Sequence, residues 1–178
     1  MGFNRKLEDN QEPAEQALNH PYTRLTPDSV IAAVESTGRF SDARILALNS
    51  YENRVYQVGI EDETPVIVKF YRPNRWTPQQ IDEEHRFTQM LLEQDIPVVP
   101  PLQIDAQAEF PTIGTYDDFM FAIYPRQGGR APELDNLDHL HQLGIFIGRI
   151  HAVGQGFPFQ YRQKLSVEQA ATNAAYLL

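Results

Sequence analysis

Val66-Ile67-Val68 is a β-branched run ending on Lys69, and fifteen residues later Glu84 falls within an amphipathic segment. The run from Pro65 to Phe70 is continuously apolar up to the lysine, which predicts a strand buried on both faces. Thr77-Pro78-Gln79-Gln80 predicts the start of a helix reaching about Gln94, with a hydroxyl N-cap, proline in the first turn and the Thr-x-x-Gln pattern of a capping box. On a wheel of about 100° per residue, with Ile81 at zero, the apolar set Ile81, Phe87, Met90, Leu91 and Leu92 averages to about 290°. Glu84 lies at about 300°, near the centre of that face, and Glu83 at about 200°, on its flank. A carboxylate there without a partner is costly, so Glu84 requires a cation, and Lys69 at the end of the preceding strand is the expected one.

The flanking sequence predicts an α+β fold. Thr26-Pro27-Asp28 opens a helix that stops near Gly38. Ile45 to Leu48 and Val55 to Val58 read as strands before the Lys69 strand. Leu102 to Ile104, Phe110 to Thr115 and Phe119 to Pro125 read as a meander after the helix, with turns at Gln107 and Asp117-Asp118. The expected product is a mostly antiparallel sheet of about five strands with a long helix inserted after the third. Residues 1–20 are polar and read as a mobile tail, 21–126 as the sheet lobe, and 127–178 as a link followed by helices. Gln127-Gly128-Gly129-Arg130 marks the boundary. Asp135 or Asn136 caps a helix running to Val153, with Gly144 and Gly148 spaced for close packing, and Ser166-Val167-Glu168-Gln169 opens one more.

Composition narrows the function classes. The net charge of −9 disfavours a nucleic-acid partner, because phosphate contacts need clustered lysine and arginine. The absence of cysteine removes thiolate nucleophiles and thiolate metal sites, and no apolar run approaches a membrane span. A cytoplasmic protein is expected. A strand lysine paired with a helix glutamate is an arrangement that holds nucleotide phosphates. The turn between the first two strands, Asn49-Ser50-Tyr51-Glu52-Asn53-Arg54, contains no glycine, so phosphate would be met there by backbone N–H groups, the Ser50 hydroxyl and the Asn53 amide.

Several of these stretches together are specific. Leu48-Asn49-Ser50-Tyr51-Glu52-Asn53-Arg54-Val55-Tyr56-Gln57, Val68-Lys69-Phe70-Tyr71-Arg72-Pro73 and Arg75-Trp76-Thr77 resemble the bacterial stress response kinase A family, which is similar to aminoglycoside and choline phosphotransferases. Glu83-Glu84-His85, Ile96-Pro97-Val98, Gly128-Gly129-Arg130 and Leu143-Gly144 through Gly148-Arg149-Ile150-His151 continue the match, which covers about Leu25 to Gly154. The resemblance implies a two-lobed kinase-like fold that phosphorylates protein serine or threonine with ATP and Mg²⁺. It implies that Lys69 holds the α- and β-phosphates, that Glu84 orients Lys69, that Ser50 and Asn53 belong to the ATP-binding loop, and that Ile123 to Arg126 forms the hinge against adenine. Pro125 has no N–H, so a backbone donor to adenine there comes from Tyr124 or Arg126.

The family's catalytic-loop pattern, His-x-Asp-x-x-x-x-Asn, does not occur. None of His20, His85, His139, His141 and His151 is followed by aspartate two residues on. Asp117-Asp118 reads as a turn and His151 as structural. No catalytic aspartate and no Mg²⁺ ligand is therefore assigned, and the chain is expected to correspond to a kinase N-lobe with the first helices of a C-lobe. Two alternatives stand beside the protein kinase: a small-molecule phosphotransferase, and a non-catalytic nucleotide-binding module. The apolar stripe of the helix from Asn136 to Val153 is expected to be exposed and to drive self-association, and the protein substrate is left open.

Overall fold

The computed structural model describes residues 21–164, 166 and 167. The expected tail over residues 1–20 and nearly all of the final helix from Ser166 lie outside the described residues. The elements run in the order α1 (Pro27–Glu35), β1 (Ser41–Leu48), β2 (Arg54–Ile60), β3 (Val66–Phe70), α2 (Pro78–Glu93), β4 (Gly114–Tyr116), β5 (Phe119–Pro125) and α3 (Leu137–Gly156). The five strands form one antiparallel sheet in the order β1-β2-β3-β5-β4, which places the lysine strand at its centre.

The helix starts follow their sequence signals. Thr26 caps α1 by accepting the Ser29 N–H at 3.2 Å, and Gly38 follows the helix at φ +83°. At α2 both halves of the capping box form: Thr77 Oγ1 accepts the Gln80 N–H, and the Gln80 side chain accepts the Thr77 N–H. Asn136 caps α3 through the N–H groups of Asp138 and His139.

The two faces of β3 divide the interior, as the period of two requires. Val66, Val68 and Phe70 point into the main core with Val30, Ala33 and Val34 of α1 and Phe119, Phe121 and Ile123 of β5. Lys69 pairs across the sheet with Val55 and Ala122, so its side chain stands on the opposite face. There Tyr71, Ile81 and Ala122 form a smaller cluster with Trp76, Ile113, Met120 and Tyr124.

Five expectations are corrected. Leu102 to Ile104 is not a strand, and of Phe110 to Thr115 only Gly114 and Thr115 join the sheet, in β4. Pro100, Pro101 and Pro111 remove N–H groups that a ladder needs, leaving one bond from Leu102 N–H to Ile123 O and a local pair from the Ile104 and Asp105 N–H groups to Pro111 O. β1 begins four residues earlier than expected, at Ser41, because a bulge with Ala43 at φ 64° hides its period. The wheel also misplaces burial on α2: Glu83 is buried because residues after α3 return to cover its flank, His85 is buried against Tyr71, Thr112 and Tyr124, and Leu92 is exposed. Gly144 and Gly148 face open space among the described residues, so neither brings a helix close.

Asp117 and Asp118 form the β4–β5 turn, with φ 45° and 67°, and both carboxylates take the guanidinium of Arg24. Next to this turn, Gly114 lies opposite Phe121, and a Cβ on Gly114 would sit 2.4 Å from the buried ring. Gly114→Ala should therefore destabilise the fold by about 1–3 kcal/mol, read as a lower urea midpoint; an unchanged midpoint would contradict this packing.

Candidate functional site

Lys69 lies near the end of β3, between the buried Val68 and Phe70, and Glu84 lies two turns into α2. The lysine Nζ meets Glu84 Oε1 at 2.8 Å, with the two side chains 21% and 33% exposed. Burial alone would raise the carboxyl pKa, but Lys69 and then Arg162 outweigh it and hold Glu84 below the usual carboxylate range. The ammonium also lies 4.6 Å from the centroid of the Tyr71 ring, on the same face of β3. The pair thus joins the central strand to the helix and leaves the lysine partly exposed.

The other expected site residues surround this pair unevenly. Ser50 is exposed in the β1–β2 turn. Asn53 Oδ1 accepts the Arg72 N–H at 3.3 Å, tying that turn to the chain just after β3. Tyr124 stands on the Lys69 face of β5, and its hydroxyl lies 3.4 Å from Tyr71 Oη and from His85 Nε2. The Arg126 side chain is exposed and turns back to donate to Gln57 Oε1 at 3.0 Å. The structure therefore brings together Lys69, Glu84 and the Tyr124 side chain, while the side chains of Asn53 and Arg126 hold local backbone and strand contacts. His151 is exposed on α3.

Sequence reasoning missed a buried polar cluster behind the ion pair. His85 Nε2 lies 2.8 Å from Tyr71 Oη, and His85 Nδ1 lies 2.7 Å from Thr112 Oγ1. Desolvation, with Lys69 and Arg162 nearby and against the pull of Glu84, lowers the His85 pKa from 6.5 to about 4. Desolvation raises the Tyr124 hydroxyl to about 12 and shifts Tyr71 up as well. Both phenols and the imidazole are therefore neutral near pH 7, a state suited to a closed hydrogen-bond cluster beside a charged pair. The available signal was the short spacing of Tyr71 and His85 around a helix start, which does not by itself reveal burial.

Glu83 was also missed. It is buried, and its carboxylate accepts the backbone N–H groups of Gln160, Tyr161 and Arg162. Desolvation pushes its pKa up, but these donors outweigh it and leave the carboxyl below its usual range. Its partners lie 77–79 residues away, so no local pattern could have announced them.

A lysine on the central strand of a five-stranded antiparallel sheet, ion-paired to the following helix, defines a kinase-like N-lobe. The chain belongs to the phosphotransferase enzyme family, whose model matches residues 44–178. It is 38% identical over 148 residues to the serine/threonine protein kinase RdoA of Salmonella typhimurium. It is equally similar to stress response kinase A of Escherichia coli K12 and of Shigella flexneri. Each match covers 83% of this chain and 44% of the relative, so the chain spans less than half the length of these relatives. Among the described residues, no helix is long and apolar enough to cross a membrane.

The shifted histidine gives a direct test of the buried cluster. Because its folded pKa lies below its unfolded value, the unfolded chain binds the extra proton between pH 6.5 and about 4. Its contribution is fully present above pH 6.5 and is lost as pH falls through that window, by about 3 kcal/mol in total. Urea unfolding of the wild type should lose that much more stability from pH 7 to pH 4 than His85→Gln does. Parallel curves for the two proteins would refute a buried neutral His85.

Proposed function

We propose that this chain is the ATP-binding part of a bacterial stress-response kinase that transfers phosphate to protein serine or threonine. The observation carrying this reading is the Lys69–Glu84 ion pair on the central strand, within a chain whose relatives are named serine/threonine protein kinase and stress response kinase. Lys69 would hold the α- and β-phosphates, and Glu84 would keep the ammonium aimed at them. The Ser50–Asn53 turn would supply phosphate contacts, and the backbone of Tyr124 or Arg126 would meet adenine, since Pro125 lacks an N–H. Bound ATP supplies the phosphoryl group. Mg²⁺ belongs with the nucleotide in this proposal, but no three His, Asp or Glu side chains gather to hold a metal among the described residues, and no step is derived through it. A cytoplasmic setting goes with this role, since it draws on the ATP pool there.

The phosphotransferase family match favours one second reading, a small-molecule acceptor of the aminoglycoside or choline type. A non-catalytic nucleotide-binding module is the third, motivated by the absence of any His-x-Asp pattern in the sequence. The 178-residue chain is accordingly expected to bind ATP without transferring its γ-phosphoryl group; transfer by this chain alone would overturn the assignment of no catalytic residue to it.

Calorimetric titration with Mg-ATP tests the nucleotide site. Lys69→Ala should weaken binding by about tenfold or more, and wild-type affinity in that variant would remove Lys69 from the site. Self-association is a separate proposal, supported by α3, where Leu137, Leu140, Leu143, Ile145 and Ile147 are all exposed. Sedimentation velocity should show larger species as concentration rises, with Leu140→Glu reversing the trend. A monomer at every concentration would sink that idea.

A further inference from the structure

After α3 the chain returns across the outer side of α2. Phe157 and Phe159 pack on Phe87, each with ring centroids 5.2 Å apart. The three residues that follow are then captured from both ends. Glu83 accepts the Tyr161 N–H at 3.1 Å and the Arg162 N–H at 2.8 Å, together with the Gln160 N–H, and Gln80 Nε2 donates to Tyr161 O at 3.0 Å. Arg162 completes the contact with its side chain. Its Nε donates to Gln80 O at 3.1 Å, its guanidinium lies 4.7 Å from the Trp76 ring centroid, and its Nη2 meets Glu84 Oε2.

Glu84 therefore has a different cation on each oxygen: Lys69 on Oε1 and Arg162 on Oε2. A carboxylate held through one oxygen remains free to rotate about its terminal torsion and to swing toward water. Held through both, it presents Oε1 in one orientation. Arg162 is suited to that task because Trp76 and the Gln80 carbonyl fix its planar fork, so little further ordering is needed.

We propose that Arg162 is a positioning residue for the nucleotide site, acting through Glu84 to fix Lys69, and that the Gln160–Arg162 segment clamps α2 for this purpose through Glu83. The proposal rests on the nucleotide-binding reading above and extends it to a segment distant in sequence. It makes the orientation of the lysine depend on the chain that follows α3, as well as on α2 itself.

The test is a double-mutant cycle on the whole 178-residue chain, read by Mg-ATP titration. Arg162→Ala and Glu84→Gln should each weaken binding by about tenfold, and the double variant should be no more than about twofold worse than Glu84→Gln alone. A purely structural role would not produce this loss of effect in the Glu84→Gln background. An Arg162→Ala loss that persists there, or no loss in the single variant, overturns the proposal. If Arg162→Ala does not fold, Arg162→Lys keeps the charge and stem without the fork; it should still weaken binding severalfold, and wild-type affinity in it overturns the proposal. A ligand-free readout separates this from failure of the nucleotide reading. Carbodiimide coupling activates the Glu84 carboxyl, and attack by the Lys69 amine forms an amide with release of the urea by-product. Mass spectrometry of the unliganded chain should show that cross-link in the wild type and severalfold less in Arg162→Ala. An equal or larger yield overturns the positioning role even if ATP does not bind.

Discussion

The Lys69–Glu84 ion pair joins the two halves of the site, at 2.8 Å between the central strand and the one helix laid over its polar face. Its net contribution to stability is small, because the loss of hydration of two half-buried charges offsets most of their attraction. Its contribution to geometry is larger. Either partner alone would be a charge in a partly desolvated place, so the helix has one favoured rotation and the lysine one favoured direction. Around it, β3 separates an apolar core from a face carrying Tyr71, Ala122 and Tyr124, so the same alternation that buries Val68 and Phe70 exposes Lys69 to the helix.

Support for that pair comes from neutral groups on one side and a second cation on the other. Behind it, Tyr71, His85, Tyr124 and Thr112 form a buried hydrogen-bonded cluster that adds no charge near neutrality. In front, Arg162 takes the oxygen of Glu84 that the lysine leaves. Adjacent residues of α2 thus have three separate roles. Glu83 captures backbone from beyond α3, Glu84 meets the lysine, and His85 closes the buried cluster. A helix turns about 100° per residue, so three neighbours point to three different surroundings, and a single averaged apolar direction cannot represent them.

The legible parts of the fold are those set by local chemistry. The three caps at Thr26, Thr77 and Asn136 form as their side chains require, and Pro65 to Phe70 contains the expected strand, with Val66, Val68 and Phe70 buried on one face and Ile67 and Lys69 only partly covered on the other. The illegible parts fail for identifiable reasons. Ser41 to Arg44 has no hydrophobic period because Ala43 bulges out of the ladder. The stretch from Leu102 to Thr112 looks like strands but folds into bends and turns from Ile104 onward, where its bonds close locally, with the N–H groups of Ile104 and Asp105 both donating to Pro111 O. Within the candidate site, Lys69 and Glu84 could be paired from sequence because one buried carboxylate needs one cation. The contacts of Tyr124 and Arg126 could not, since both side chains turn toward partners outside their own segment.

The sequence by itself determined the strand that ends in lysine, the capped helix that follows it and the requirement that Glu84 find a positive partner. These depend on residues within a few positions of one another, and on the cost of an unpaired buried charge. Only the tertiary structure decided that Glu83 is more buried than Glu84, that His85 is neutral, and that Arg162 shares the glutamate with Lys69. Those outcomes depend on which distant segments come to rest against α2. Burial and pairing across 27 to 79 residues are properties of the packed chain, with no counterpart in the local pattern.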